Sequence, residues 1–415
     1  MYKRITLAAL ALPALLLAGC AGNPLETLLP AENTATVETA AAPAPQSLTV
    51  YASPSLLPAL QDYAAAQGVD LQVTEDAAAA ALAAVDCLPG DLFSAQAVNS
   101  DTLLAAAAAR AGLAEDATVL PVGRSLYGYW VNGTVVNALL GDGALTALQN
   151  ADWDEWSDFV ETLQGWLEEP GEATVTLNGS DYTLPAEKPE GVTATGVFAA
   201  PMDRVSGYTA ALLAAGDEMN EDTLTGPLGG VYGAVALEME NLAESEETAL
   251  FRRAKLTDLL AAYGSEACQE LVLVPFKCQL EESDLSTEEY NLTGLLNYPV
   301  LADAGYLALN AEADADTQKA ARSAALWLYS SGDGEMALTE TLGVITPWNT
   351  ASDVTTLGAM QVEQAGTGIL PGLALTASQA DALAENELAV GEGRTRAEFI
   401  GAALQALGVT EAEQE

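Results

Sequence analysis

The pattern that most constrains this chain is the alternation of short apolar strands with helices that begins at Leu48. A strand is predicted over 48–51, and a helix over 54–66 follows it, with apolar residues at helical spacing and Gly68 as its stop. A second strand is predicted over 69–74, where apolar and polar residues alternate. Such alternation is typical of a parallel sheet whose strands are joined by crossover helices, so we predict an α/β fold.

Further strands and helices are predicted along the rest of the chain. An alanine-rich helix is predicted after residue 74, and the helix that follows Asp152 carries a capping box with Glu155. Asn178-Gly179 is a strong two-residue turn signal and predicts a β-hairpin over 175–184. The other predicted strands are 91–93, 119–130, 271–276, 292–298 and 305–309, and the other predicted helices lie near 101–109, 205–215, 237–262 and 317–329, with further helical segments in the last sixty residues.

The beginning of the chain has the make-up of a signal peptide. Lys3 and Arg4 precede an apolar stretch over 5–17 that is too short to span a bilayer. The stretch runs into Leu17-Ala18-Gly19-Cys20, which resembles the lipobox of bacterial lipoproteins, where the cysteine is diacylated and becomes the mature N-terminus.

Two consequences follow for this first segment. We predict a signal peptide over 1–19 and a lipid anchor on Cys20. Residues 20–46 consist largely of Ala, Thr, Pro and Glu, which bury too little surface to offset the entropy of ordering, so a disordered tether is predicted there.

Charge and composition exclude several function classes. The chain has 14 basic and 59 acidic residues, a formal net charge of −45, which disfavours nucleic acid as a partner because phosphate backbones are repelled. It has no histidine, which removes Ser-His-Asp and Cys-His catalysis and His-ligated metal sites. No phosphate-binding glycine loop, nucleophile elbow or calcium loop occurs in the sequence. We therefore predict no catalytic residues, no metal, no cofactor and no enzymatic activity.

Three cysteines follow Cys20 in the chain. Their odd number argues against a complete disulfide framework. Cys268 and Cys278 either pair across a short loop or, as their apolar neighbours favour, are buried thiols, and Cys87 is the third.

Several short segments, in a fixed order, resemble a known family. Tyr127-Gly128-Tyr129-Trp130-Val131-Asn132 is similar to the family's Y-G-x-x-Y-N strand. Asp152-Trp153-Asp154-Glu155-Trp156 resembles its T-W-D-E-F helix start, and Gly343-Val344-Ile345-Thr346-Pro347 its glycine-to-proline turn. From about residue 47 to 350 the chain thereby resembles the family 1 extracellular solute-binding proteins of ABC transporters, which include maltose- and oligosaccharide-binding proteins. It departs from them at Tyr263-Gly264-Ser265-Glu266-Ala267-Cys268, which lacks the family's lysine and methionine.

The resemblance implies a periplasmic-binding-protein-like fold of type II, with two α/β lobes, hinge strands and an interlobe cleft. Lobe one would comprise 47–120 and 300–347, and lobe two 121–299 and 348–415. It implies a monomeric, lipid-anchored receptor on the extracellular face of a bacterial membrane. This receptor would bind a sugar or oligosaccharide reversibly and deliver it to ABC permease subunits.

Candidate ligand-binding residues are those predicted just past strand ends, at the lobe crossover, at the start of the strand that would return to lobe one, or after the Thr346-Pro347 turn. A sugar site needs aromatic platforms and polar groups, and for each candidate, packing in the core or at the hinge is the alternative role. Tyr129 and Trp130 are adjacent on a strand and point to opposite faces, while Trp156 and Trp166 are predicted helix core. The candidates are Tyr51, Ser53, Asp91, Tyr127, Phe276, Lys277, Tyr306 and Trp348.

Three alternative functions remain open from the sequence. A cationic solute such as a polyamine would suit the acidic composition within the same fold. A carboxylate-based surface hydrolase and a purely structural surface lipoprotein are the others.

Overall fold

The structure is a computed structural model that describes residues 47–90, 92–216, 219–281, 284, 299–350, 370–371 and 375–409. Cys20, the predicted signal peptide, the predicted tether, Asp91 and the predicted strand over 292–298 lie outside these residues. Within the described ranges, none of the helices combines the length and the apolar character needed to cross a membrane.

The described residues form a mixed α/β structure. The strands are β1 (Ser47–Ala52), β2 (Asp70–Val73), β3 (Leu82–Val85), β4 (Val119–Asn132), β5 (Ala173–Leu177), β6 (Ser180–Leu184), β7 (Gly196–Phe198), β8 (Ala249–Lys255), β9 (Leu271–Pro275), β10 (Val300–Leu309) and β11 (Leu370–Pro371). The helices are α1 (Leu57–Gln67), α2 (Thr102–Arg110), α3 (Gly133–Leu140), α4 (Ala144–Asn150), α5 (Trp153–Glu168), α6 (Tyr208–Ala215), α7 (Glu221–Glu240), α8 (Leu256–Cys268), α9 (Ala315–Ser330), α10 (Gly332–Met336), α11 (Ala377–Gly391) and α12 (Arg396–Ala406).

One large sheet organises the fold, with the strand order β2-β1-β3-β10-β4-β8-β7. The strands β1, β2 and β3 are parallel, and β7 is parallel to β8. The parallel pairing of β1 and β2 confirms what the alternation of strands and helices predicts. The long strand β4 pairs with β10 along its first half and with β8 and β9 along its second half. Together, β4 and β10 therefore connect the two ends of the sheet.

Separate hydrophobic cores form on the two sides of this connection. The first core draws its buried residues from 48–122 and 304–344. The second core surrounds the far half of β4 with α3, α4, α5 and β7, and a third lies among α6, α7, α11 and α12. Trp156 and Trp166 are buried in the second core, which confirms their predicted role as helix core.

Two glycines face each other where β4 and β10 cross. Gly123 and Gly305 are paired in the ladder and have φ angles of +147° and +142°, a region that favours glycine. A Cβ atom would lie 2.5 Å from the carbonyl oxygen of Ile345 at Gly123, and 2.6 Å from that of Val85 at Gly305. The register shifts beside Gly305, between Asp303 and Tyr306, so the glycines permit a bulge at the crossing.

Several predicted elements are confirmed. Helix α5 begins with the capping box between Asp152 and Glu155, and Gly68 ends α1 in a left-handed conformation. The hairpin of β5 and β6 turns at Asn178 and Gly179, and Cys268 is buried and free as predicted.

The alanine-rich stretch after residue 74 was predicted as a helix, and this prediction is wrong. The segment contains a short turn at Ala77–Ala79 and then the strand β3, which lies between β1 and β10. Ala83 and Ala84 are completely buried there. A strand covered on both faces by neighbouring elements overrides the helical preference of alanine, which is only a weak prior. Residues 92–93 of the predicted strand 91–93 are not a strand either.

The single helix predicted near 237–262 is also wrong. Helix α7 ends at Glu240, β8 occupies 249–255, and α8 begins at Leu256. Strand β8 lies between β4 and β7 in the sheet, and the residues on both of its faces are largely buried. Its apolar residues therefore show no strand alternation in the sequence.

Candidate functional site

A cavity of about 260 Å³ opens where several strands end. Asp86 and Cys87 follow β3, the loop over 202–206 follows β7, and Lys255 is the last residue of β8. In open α/β sheets, ligands bind at the carboxyl ends of parallel strands, which is the position of this cavity. The remaining lining residues come from α6, α8, β10, α11 and the segment just before α11. They are Thr209, Asp258, Ala302, Asp303, Tyr306, Leu375, Ala380, Asp381 and Ala384.

The cavity lining is strongly acidic. Five carboxyl groups line it, against two basic side chains, Lys255 and Arg204. The acidic residues come from five separate segments and are Asp86, Asp203, Asp258, Asp303 and Asp381. Since they lie around one concave space, the site has a negative potential that favours a cation or a hydroxyl-rich solute.

Carboxylates on one wall of the cavity compensate the positive charge of Lys255. Its Nζ lies 3.9 Å from Oδ2 of Asp203, and its backbone N–H donates to Oδ2 of Asp258 at 3.2 Å. Burial lowers the pKa of Lys255, but the charges of Asp258 and Asp203 outweigh burial and raise its pKa above the usual value. Burial raises the pKa of Asp258 to about 7, although Lys255 opposes this shift.

Asp203 also shapes the loop that it belongs to. Its carboxylate accepts hydrogen bonds from the backbone N–H groups of Val205 and Ser206, at 2.7 and 2.9 Å, and from the Ser206 hydroxyl at 2.6 Å. Burial would raise the pKa of Asp203, but Lys255 and these hydrogen bonds lower it below its usual value. Asp203 is therefore engaged in holding the loop.

The other acidic groups have fewer internal partners. Asp86 accepts a hydrogen bond from the hydroxyl of Ser55 at 2.5 Å. Burial raises the pKa of Tyr306, and the neighbouring carboxylate of Asp303 raises it further. Asp381 is exposed on α11. These three carboxylates, on three elements, remain available to a ligand.

Beneath the cavity, a buried ionic cluster is centred on Arg253 of β8, whose side chain is 1% exposed. Its Nη2 and Nη1 donate to the two carboxylate oxygens of Glu387 at 2.6 and 3.2 Å, and its Nε donates to Glu238 at 3.0 Å. Nη1 also donates to the hydroxyl of Tyr127 at 3.0 Å, and the Tyr129 hydroxyl donates to Glu238 at 2.6 Å. Residues 253 and 255 lie on the same face of β8, so this cluster supports the cavity wall at Lys255.

Of the eight predicted ligand-binding residues, Tyr306 lines the cavity. Tyr127 and Phe276 are buried in the second core, with their ring centroids 5.9 Å apart. Tyr51 is half-buried on β1, and the hydroxyl of Ser53 donates to the carbonyl of Ala84 at 3.3 Å. These four do not line the cavity.

Lys277 and Trp348 also lie elsewhere. The Nζ of Lys277 donates to the carbonyl oxygens of Gln149 and Ala151, both at 2.8 Å, at the C-terminal end of α4. Burial lowers the pKa of Lys277 to about 7. Trp348 packs against Tyr329, with ring centroids 5.4 Å apart, and the guanidinium of Arg110 lies over its ring at 4.3 Å. Asp91 lies outside the described residues.

The cysteines and the acidic groups suggest no further chemistry. Cys268 and Cys278 are buried free thiols, as their apolar neighbours predict, and Cys87 is a free thiol in the cavity lining. Among the described residues, no group of three or more cysteine and carboxylate side chains is arranged to hold a metal ion.

Comparisons with known proteins place this geometry in a structural class. No family model and no curated protein matches the sequence. The structure is similar to a Streptococcus pneumoniae solute-binding protein in complex with the blood group A-trisaccharide, with a TM-score of 0.54 and 10% identity, over 87% of this chain and 99% of that chain. The chain has the fold of ABC-transporter solute-binding proteins.

Two further solved structures agree with this class. Maltose-bound T. maritima MalE3 has a TM-score of 0.55 and 11% identity, over 87% of this chain and 99% of that chain. An ABC-transporter solute-binding protein from Agrobacterium radiobacter in complex with ribitol has a TM-score of 0.55 and 11% identity, over 88% and 98%. The fold predicted from the sequence motifs is therefore confirmed.

Proposed function

We propose that this protein is the solute-binding subunit of an ABC importer and holds a small solute reversibly in the cavity beside Lys255. The cavity carries this proposal: it lies at strand ends, between separate cores, in a fold shared with solute receptors. Its volume of about 260 Å³ lies just below the roughly 300–1,000 Å³ of sites for drug-sized ligands, which favours a small solute.

In this proposal two lobes close on the solute, and their boundaries are those predicted from the sequence. Lobe one comprises 47–120 and 300–347, and lobe two comprises 121–299 and 348–415. The first core supports this division, because its buried residues come from 48–122 and 304–344. The strands β4 and β10 connect the lobes and are the proposed hinge, with Gly123 and Gly305 at their crossing.

A sugar or polyol is the first candidate for the solute. The carboxylates of Asp86, Asp303 and Asp381 would accept hydrogen bonds from hydroxyl groups, and the ring of Tyr306 offers an apolar surface. Solved structures of the same fold hold maltose and ribitol. A cationic solute such as a polyamine is the second candidate, which is favoured by the excess of carboxylates over basic groups in the lining.

The first prediction is that one solute from a panel binds without being consumed. Isothermal titration with maltose, galactose, ribitol, spermidine and a tripeptide tests it, with product analysis after long incubation. At a hundred times the dissociation constant, the bound solute should stabilise the fold by about 2.7 kcal/mol and raise the melting temperature by a few degrees. Slow conversion of a panel member would instead support the carboxylate-based hydrolase, and no interaction with any of them would contradict the proposal.

The Asp303→Asn variant assigns the solute class. For a cationic solute, losing one charge in the cavity should weaken binding about tenfold or more, and the wild-type affinity should fall as salt is added. For a neutral sugar, the asparagine keeps one acceptor and salt has little effect. Asp158→Asn, an exposed position on α5, is the matched control and should bind like the wild type.

The membrane attachment is proposed to use a lipid on Cys20, behind the predicted signal peptide. The protein would then stand on the extracellular face and deliver its solute to permease subunits. Replacing Cys20 with alanine should abolish incorporation of labelled palmitate and release the protein from the membrane fraction. A Cys20→Ala protein that stays membrane-bound at the mature size would contradict the lipid anchor.

A further inference from the structure

Helix α11 connects the two sides of the cavity. At its beginning, the N–H of Leu88 donates to the carbonyl of Leu375, and the N–H of Ala377 donates to the carbonyl of Leu88, both at 3.2 Å. Leu88 directly follows the cavity residues Asp86 and Cys87. Near its end, α11 is attached through Glu387 to Arg253 on β8. The helix is thus attached to a different side of the site at each end.

The same face of α11 serves both the cavity and this attachment. Ala380, Asp381 and Ala384 line the cavity, and Glu387 lies three residues beyond Ala384, one turn along the same face. Other contacts hold the middle of the helix, since Leu383 is buried in the third core and Asn386 donates to the carbonyl of Phe399 at 2.9 Å. The position of the cavity face nevertheless depends on how the Glu387 end is seated.

Arg253 also anchors the loop on the opposite wall. Its carbonyl accepts a hydrogen bond from the N–H of Met202 at 3.0 Å, and Met202 begins the cavity loop that contains Asp203. One residue of β8 therefore contacts both the loop, through its backbone, and α11, through its side chain.

In the cluster around Arg253, two buried glutamates bind one guanidinium. Glu238 and Glu387 are almost completely buried, at 1% and 0% exposure, and both bind the single guanidinium. Burial raises the pKa of Glu387 to about 7 and raises that of Glu238, while Arg253 opposes both shifts. The ionisable and charged groups that face this pair are Tyr127 and Tyr129 of β4, Asp203 and Arg204 of the cavity loop, Tyr208 of α6, and Arg253. Glu387 is therefore expected to take up a proton at mildly acidic pH.

We infer that Arg253 is a positioning residue for the solute site: its side chain seats α11 against the cavity through the buried ion pair with Glu387, and its carbonyl holds the loop on the opposite wall. The link from helix position to solute affinity rests on the proposed function. The seating of the helix itself does not, because it is a property of the protein without solute.

The direction of the pH effect follows from linkage. The seated helix keeps a group whose pKa is raised, whereas an opened helix exposes Glu387 to water, where its pKa returns to its ordinary value near 4.3. At pH values between about 4.3 and about 7, the seated state therefore binds more protons than the opened state. The seated state is therefore most stable at low pH. As the pH rises towards 7 this stability is lost, and the equilibrium constant for opening increases by up to tenfold per pH unit.

Amide hydrogen exchange of the whole protein without solute tests this inference. After correction for intrinsic exchange rates, protection of 377–391 should fall about tenfold or more between pH 5.5 and 7.5. Helix α9, which belongs to the first core, is the internal reference and should change much less. In Glu387→Gln the titrating carboxyl group is removed, so the pH dependence should disappear even if overall protection is lower. In Glu238→Gln a neighbouring negative charge that raises the pKa of Glu387 is removed, so the pH dependence should weaken.

The matched control is Glu385→Gln, which changes an exposed carboxylate on the same helix and should keep the wild-type pH dependence. Equal pH dependence in α11 and α9 would overturn the inference, as would a wild-type slope that persists in Glu387→Gln. If the protection of α11 falls with pH as expected but no solute of the titration panel binds, this inference stands and the proposed function is contradicted. If a solute binds but the protection of α11 does not change with pH, only the inference is contradicted.

Discussion

Replacing Arg253 with methionine is expected to lower the free energy of unfolding by about 3–5 kcal/mol at pH 7.5, because it leaves buried carboxylates without their cation. Glu238 and Glu387 would each lose charged hydrogen bonds, and the hydroxyl of Tyr127 would lose its donor. Methionine keeps much of the side-chain volume, so the loss reports the charges rather than a cavity. Urea denaturation, with the midpoint and the slope both measured, gives the change in free energy.

The pH dependence of this loss identifies its cause. Without Arg253, the pKa values of both carboxyl groups rise further, so the folded variant takes up protons that the unfolded chain does not hold. Its stability is then retained at acidic pH and lost as the pH rises, and the deficit should be smaller at pH 5 than at pH 7.5. A deficit that is equal at both pH values would contradict the electrostatic explanation.

Arg110→Met is the matched control for this substitution. Arg110 pairs with Glu335 at 3.4 Å, but the two side chains are 46% and 29% exposed. An exposed pair contributes little because water screens it, so this variant should lose about 1 kcal/mol or less. A comparable loss in both variants would mean that burial of the Arg253 cluster is not what makes it important.

Local sequence signals predicted those parts of the fold whose conformation is determined by nearby residues. The capping box at Asp152, the stop at Gly68 and the turn at Asn178 each depend on hydrogen bonds or backbone angles within a few residues. The parallel pairing of β1 and β2 followed from alternation along the chain. These features could therefore be predicted without knowledge of distant contacts.

The strands β3 and β8 were missed because their conformation depends on distant neighbours. Ala83 and Ala84 have high helix propensity, yet β1 and β10 pair with them on either side. Similarly, β8 pairs with β4, which lies more than a hundred residues earlier in the chain. Alternation of apolar and polar residues disappears when both faces of a strand are buried, so neither strand carried its usual signal.

The candidate site was predictable only in part, for a related reason. Tyr306 was chosen because it begins the predicted strand that would return to lobe one, and it lines the cavity. Asp203, Lys255, Asp258 and Asp381 come from segments that fold together without any shared motif. The acidic composition was the one signal that pointed to the three aspartates, and it gave the charge of the site but not its residues.

Two glycines on helix α7 are expected to respond to alanine with opposite signs. At Gly230 an added Cβ atom would lie 1.8 Å from the carbonyl oxygen of Gln279, a backbone atom that moves only if the segment after β9 moves. At Gly233 the nearest atom would be Cζ2 of Trp153, at 3.7 Å, which is ordinary contact.

Alanine favours a helix over glycine by about 0.5–1 kcal/mol at either position, so Gly233→Ala should stabilise the protein by roughly that amount. Gly230→Ala gains the same preference but forces α7 away from Gln279, and we expect a net loss of about 2 kcal/mol or more, measured by urea denaturation. If both variants were stabilised, the close crossing of α7 and Gln279 would be contradicted.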